Sequence, residues 1–84
     1  MARIAVFGIG YVGAVSAACL ARDGHQVIAV DADPGKVAAI AAGRSPIVEQ
    51  GLPDLIAAMV EAGRLRATTD AQRAVRESEA SFVC

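Results

Sequence analysis

The sequence predicts an α/β domain on a doubly wound parallel sheet, of which it carries the first four strands. Three observations predict it. Short apolar runs at residues 3–7, 26–30, 64–68 and 80–84 alternate with segments of helical periodicity. Gly8-Ile9-Gly10-Tyr11-Val12-Gly13 joins the first run to the first helical segment. The second run ends on an acidic residue, Asp31, about 20 residues beyond the glycines, which completes a βαβ unit with dinucleotide-binding spacing.

Taken in order, Arg3-Ile4-Ala5-Val6-Phe7 has the aliphatic and aromatic content of a buried parallel strand. A helix follows from Tyr11 to Arg22 and stops at Asp23-Gly24, where Gly24 suits a left-handed C-terminal cap. Gln26-Val27-Ile28-Ala29-Val30 is the second strand. Gly8 permits the tight turn off the first strand, Gly10 has no side chain to hold a pyrophosphate away, and Gly13 lets the helix pack closely. The free amides and dipole of the helix N-terminus favour a diphosphate. Asp31 can accept hydrogen bonds from both hydroxyls of an adenosine ribose. A 2′-phosphate would meet like charge there, and Ala32 supplies no arginine to receive it, so NAD is favoured over NADP. Strand, turn, helix, second strand and terminal acid together make this a Rossmann-type unit rather than an ordinary glycine-rich turn.

Asp33-Pro34 starts the next helix, with Pro34 in its first turn and Val37, Ile40 and Ala41 on one face, and Gly43 stops it. Residues 45–51 read as a loop. Leu52, Leu55, Ile56, Met59 and Val60 fall at i, i+3, i+4, i+7 and i+8, an amphipathic helix ending at Gly63. Arg64-Leu65-Arg66-Ala67-Thr68 is a short third strand. Thr69-Asp70-Ala71-Gln72 has capping-box spacing and begins a short helix carrying Ala71, Ala74 and Val75. Ala80-Ser81-Phe82-Val83-Cys84 is a fourth strand, expected to be buried. A buried strand at the last residue predicts that the 84 residues are a dinucleotide-binding part of a longer protein, interrupted within or just after that strand.

Composition narrows the function classes. Hydrophobic residues make up 55% and aromatics only 4%, so the core is aliphatic and alanine-rich. A net charge of −1 gives no electrostatic case for nucleic acid or an anionic membrane. Two cysteines, Cys19 and Cys84, without CxxC spacing or a histidine cluster, argue against a zinc site or a disulfide framework and for reduced, cytoplasmic thiols. Residues 4–21 are mostly apolar and contain Val15-Ser16-Ala17-Ala18-Cys19, which resembles a lipoprotein-type signal peptide. Three glycines at nucleotide-binding spacing and a single Arg before the apolar stretch argue against that reading and against a membrane span.

Several segments together resemble the N-terminal part of the nucleotide-sugar 6-dehydrogenases, the family of the UDP-glucose and GDP-mannose dehydrogenases. They are the Gly8–Gly13 turn with the following Ala14-Val15-Ser16-Ala17-Ala18-Cys19-Leu20-Ala21, then Gly24-His25-Gln26-Val27-Ile28, Val30-Asp31 and Lys36-Val37. Gly63-Arg64-Leu65-Arg66, Thr68-Thr69-Asp70 and Ser81-Phe82-Val83-Cys84 continue the match. Ala14 and the loop Ser45-Pro46-Ile47-Val48-Glu49 look more like the GDP-mannose branch than the UDP-glucose branch. The loop also argues against other Rossmann dehydrogenases, of the 3-hydroxyacyl or 6-phosphogluconate type. A stand-alone NAD(H)-binding module without turnover is the rival from a different class.

The resemblance implies oxidation of a sugar C6 alcohol to a carboxylate with two NAD⁺, through thioester chemistry on a cysteine, in a cytoplasmic homo-oligomer that takes a nucleotide sugar. It implies that Tyr11 and Val12 offer backbone to the pyrophosphate, that Asp31 holds the adenosine ribose and that Lys36 also reaches it. Without the resemblance Lys36 is an ordinary solvated helix lysine. The family's nucleophilic cysteine lies in a Gly-Gly-x-Cys context that neither Cys19 nor Cys84 matches, so no catalytic residue is assigned and the 84 residues alone are expected to be inactive. Cys19 reads as a structural thiol on the packed side of its helix, and Cys84 as strand core. His25 stands at a turn with no acid or nucleophile placed beside it, and Glu49 is given no chemical role. Gln50 stands where the family usually has proline, which is expected to loosen the loop without touching the glycine turn.

Overall fold

The computed structural model describes residues 2–84. Arg3–Phe7 form β1, Tyr11–Arg22 α1, Gln26–Val30 β2 and Pro34–Ala41 α2. Leu52–Glu61 form α3, Leu65–Thr68 β3, Ala71–Glu77 α4 and Ala80–Val83 β4. All strands are parallel, in the spatial order β3-β2-β1-β4. The chain order therefore reverses between β1 and β4, the switch point outside which open α/β sheets bind ligands. In register, Phe7 stands opposite both Val30 and Val83, and Val30 opposite Thr68. Gly8, Asp31, Thr69 and Cys84, each the next residue along, thus reach the same end of the sheet.

Alternation along the strands divides the core. Ile4, Val6, Val27, Ala29 and Leu65 face α1, α2 and α3, and pack with Ile40, Leu52 and Ile56 in one large cluster. Ala14, Ala17, Ala18 and Ala21, at i, i+3, i+4 and i+7, give α1 a flat buried stripe that allows close approach to the sheet. On the other face Ala5, Ile28, Val30 and Ala74 form a small cluster under α4, with Phe7 against it. The doubly wound architecture is thus observed, with one face thickly covered and the other thinly.

Local chemistry sets the element ends. Gly24 takes φ +103°, and the amides of Gly24 and His25 donate to the carbonyls of Ala21 and Leu20, a Schellman ending for α1. Asp33 caps α2 by accepting from the Gly35 amide at 2.8 Å, with Pro34 next to it. Ile47 packs against the main core, and Ser45 Oγ donates to its carbonyl at 2.6 Å, which anchors the first part of the α2–α3 loop. Among the described residues no helix is long and apolar enough to cross a membrane. Residues 4–21 become β1, the glycine turn and most of α1.

Four expectations are corrected. The fourth strand is not buried: all of Ala80–Val83 is exposed, with Val83 85% exposed. It pairs only with β1, and neither buried cluster includes any of its residues. Cys84 is likewise exposed rather than strand core. Ala41, Ala71 and Val75 are exposed, because α2 and α4 are short and bury one residue each, Ile40 and Ala74. Finally, α4 is capped by Asp70, whose carboxylate accepts from the Arg73 amide at 3.0 Å, whereas Thr68 Oγ1 accepts from the Asp70 amide. The capping pattern is displaced by one residue from Thr69, since a carboxylate is the stronger acceptor for a helix N-terminus. Asp70→Ala is expected to cost about 1 kcal/mol of stability, read by urea denaturation.

Candidate functional site

At the carboxyl ends of the strands the chain leaves β1 through Gly8 at φ +98°, a conformation that favours glycine. Its amide donates to the Val30 carbonyl at 2.8 Å. A side chain there would also meet the Cys84 carbonyl oxygen at 2.7 Å. Gly13 is required for a different reason. A Cβ on it would lie 1.6 Å from the Gly8 carbonyl oxygen, so the first turn of α1 rests directly on the glycine turn. The expected close packing is therefore helix on turn.

Gly10 differs from both. Its backbone is extended, at φ −89° and ψ −160°, which any residue adopts, and a Cβ added to it would meet nothing within 4 Å. Nothing within the fold asks for glycine at this position. It is exposed and stands at the cap of α1, where no side chain accepts from the helix.

The amides around Gly10 are unspent. Among the described residues no group accepts from those of Gly10, Tyr11, Val12 or Gly13, and the next amide, Ala14, closes onto the Gly10 carbonyl at 2.9 Å. By contrast α2 and α4 carry aspartate caps, and α3 has Asp54 in its first turn. The first turn of α1 holds no acidic residue, so its positive end is left for an external anion.

Asp31 extends from the end of β2 into this turn. Its Oδ2 accepts from the Ile9 amide at 2.8 Å and its Oδ1 from the Asp33 amide at 2.9 Å. The Ile9 bond first and the Asp33 bond second hold its pKa below the ordinary aspartate value against the opposing effect of burial, with the charge of Lys36 adding a smaller lowering. Half-buried Lys36 on α2 is thus close enough for its charge to be felt at Asp31. Two accepted bonds leave about half of the carboxylate's acceptor capacity available.

An open crevice of about 270 Å³ lies beside this aspartate, lined by Phe7, Gly8, Val30, Asp31, Ala32 and Thr69. Thr69 and Ala32 were not anticipated as site residues. The available signal was their position, each just past the carboxyl end of a strand that neighbours or nearly neighbours β1. Tyr11 and Val12 are both exposed, at 56% and 63%. Glu49 acts on Tyr11 electrostatically, which its sequence position did not suggest. Hydrogen bonding to its carboxylate, and its charge, hold the Tyr11 phenol above the ordinary value. His25 serves structure, its Nδ1 accepting from the Ala2 amide at 3.1 Å.

Glycine turn, open amides and terminal acid are therefore one assembly, and residues 2–84 match the description of the UDP-glucose/GDP-mannose dehydrogenase family, NAD binding domain. The chain belongs to that family. It is 51% identical over 82 residues to the GDP-mannose 6-dehydrogenases of Pseudomonas aeruginosa and Azotobacter vinelandii, a match covering 98% of this chain and 19% of theirs. To the UDP-glucose 6-dehydrogenase of Rhizobium meliloti it is 46% identical over 81 residues, 96% of this chain and 18% of that one. Among solved structures, the GDP-mannose dehydrogenase of Pseudomonas aeruginosa, a ternary complex, superposes with a TM-score of 0.96 at 51% identity, over 98% of this chain and 19% of that one. The UDP-glucose dehydrogenase of Pyrobaculum islandicum gives 0.95 at 38% identity, over 100% and 19%. The chain spans about a fifth of the length of these relatives. As a UDP-glucose/GDP-mannose dehydrogenase family NAD-binding domain, it has NAD as its cofactor.

Proposed function

We propose that these residues are the dinucleotide-binding first part of a nucleotide-sugar 6-dehydrogenase that oxidises GDP-mannose to GDP-mannuronate, reducing two NAD⁺ for each sugar. GDP-mannose is preferred to UDP-glucose on the loop 45–49 and on the higher identity to the GDP-mannose enzymes. The complete protein is a cytoplasmic homo-oligomer in this reading, and its substrate and catalytic groups are supplied outside residues 1–84.

Within the chain the roles divide by geometry. The amides of Gly10, Tyr11, Val12 and Gly13, which have no acceptor among the described residues, would hold the NAD diphosphate. Gly8 and Gly13 build the turn that aims these amides. Asp31 would take the ribose hydroxyls on its remaining lone pairs with Lys36 near the same ribose, and the crevice lined by Asp31, Ala32 and Thr69 would be open to the adenosine. The negative Asp31 disfavours a 2′-phosphate, which selects NAD over NADP.

The observation that carries the dinucleotide-binding part of this reading is Gly10, a glycine with no internal reason to be one. Gly10→Ser tests it, because stability and binding are expected to move separately. Serine is a favourable cap in the observed backbone conformation, so denaturation should show stability unchanged or higher by up to about 1 kcal/mol. Its side chain stands where the diphosphate must approach, so NAD⁺ affinity by calorimetry should fall at least about tenfold. Equal affinity for the variant and the wild type would place the diphosphate elsewhere.

A further inference from the structure

Two consecutive amides of the glycine turn are held by two consecutive residues at the end of β2. Gly8 donates to the main chain of Val30, and Ile9 donates to the side chain of Asp31, both at 2.8 Å. Ile9 itself is 1% exposed, so its side chain is fixed in the core while its amide is fixed by the carboxylate. From the next residue onward the amides have no acceptor among the described residues: Gly10, Tyr11, Val12 and Gly13 follow directly on the tethered one. The last bond made before the open amides thus belongs to an ionised side chain.

We propose that Asp31 is a positioning residue for the diphosphate turn: by accepting the Ile9 amide, its carboxylate sets the direction of the four free amides that follow, in addition to receiving the ribose. The proposal rests on the dinucleotide reading above and deepens it. Its consequence is that the adenosine and diphosphate halves of the site are coupled through one side chain. The second tie, from Oδ1 to the Asp33 amide, fixes the carboxylate's own orientation and leaves Oδ2 on Ile9. The same carboxylate has its pKa lowered chiefly by the Ile9 bond, so it is ionised, and strongest as an acceptor, throughout the neutral range.

Charge and positioning predict opposite outcomes for a ligand that has no ribose. Removing a negative charge near an anion site should strengthen anion binding by Coulomb's law. Removing the brace should weaken it. The probe is inorganic pyrophosphate, titrated into the ¹⁵N-labelled chain and followed by amide shifts of residues 8–14, with amide exchange of Ile9 measured in parallel. Asp31→Ala is expected to weaken pyrophosphate binding at least threefold and to speed Ile9 exchange at least tenfold. Asp31→Asn keeps one acceptor oxygen and replaces the other by a donor, so it should fall between. It serves alone where far-UV circular dichroism shows the alanine variant unfolded. Pyrophosphate binding that is unchanged or tighter in the folded variant, or Ile9 exchange that does not change, overturns the proposal. A wild-type chain that takes up neither pyrophosphate nor NAD⁺ overturns the dinucleotide reading and this proposal together. Uptake of both with no loss in the variants overturns the proposal alone.

Discussion

Gly13→Ala is expected to destabilise the fold by about 2–3 kcal/mol and to remove measurable NAD⁺ binding. The sign is the informative part. In an exposed helix interior the same change stabilises by about 1 kcal/mol, because alanine has the better helix propensity. Here the new Cβ would lie 1.6 Å from the Gly8 carbonyl oxygen, a backbone atom that cannot rotate away. Either α1 lifts off the turn or the turn moves, and each displaces the open amides of Tyr11 and Val12. Urea denaturation and calorimetry on the variant check both halves. A variant more stable than the wild type would mean that α1 does not rest on the turn as described.

Asp31→Ala is expected to weaken NAD⁺ binding at least about 100-fold, since hydrogen bonds to a charged group contribute about 1.5–3 kcal/mol each and two ribose hydroxyls are served. The same variant frees the Ile9 and Asp33 amides. A pH dependence follows from the lowered pKa. The folded carboxylate titrates below the unfolded one, so its contribution to stability is fully present above about pH 4, the ordinary aspartate range. It is lost as pH falls through the lowered folded value. Acid denaturation of the wild type should therefore be steeper below pH 4 than that of Asp31→Asn, which has no group to titrate at this position. Parallel acid curves for the two proteins would remove Asp31 from the stability of the turn.

What the sequence revealed and what it hid follow from how local each interaction is. The glycine turn, the Gly24 and Asp33 ends and the α3 stripe of Leu52 and Ile56 are fixed by neighbours within a few residues, and their bounds are legible in the residue order. The apolar composition of β4 says that it can be covered but not what covers it. Its exposure depends on which helices lie over it, a property of the sheet order rather than of Ala80–Val83. Val75 misled in the same way, on a helix too short to bury more than Ala74. At the site, Asp31 was legible as an acid at the end of a strand. Its bond to Ile9 joins residues 22 apart and required the register of β1 against β2. The effect of the Glu49 charge on Tyr11 runs between a loop and a helix start, with no local pattern to announce it. The helix cap at Asp70 rather than Thr69 is a competition between adjacent acceptors, decided by charge.

The claim on which the rest depends is that the turn after β1 holds NAD with Asp31 on the ribose. Calorimetric titration of the purified 84-residue chain with NAD⁺ and NADP⁺, after circular dichroism has established that it is folded, tests it most directly. Saturable binding of NAD⁺, weaker by at least about tenfold for NADP⁺, is the predicted result. A folded chain that binds neither nucleotide, or that prefers NADP⁺, would contradict it.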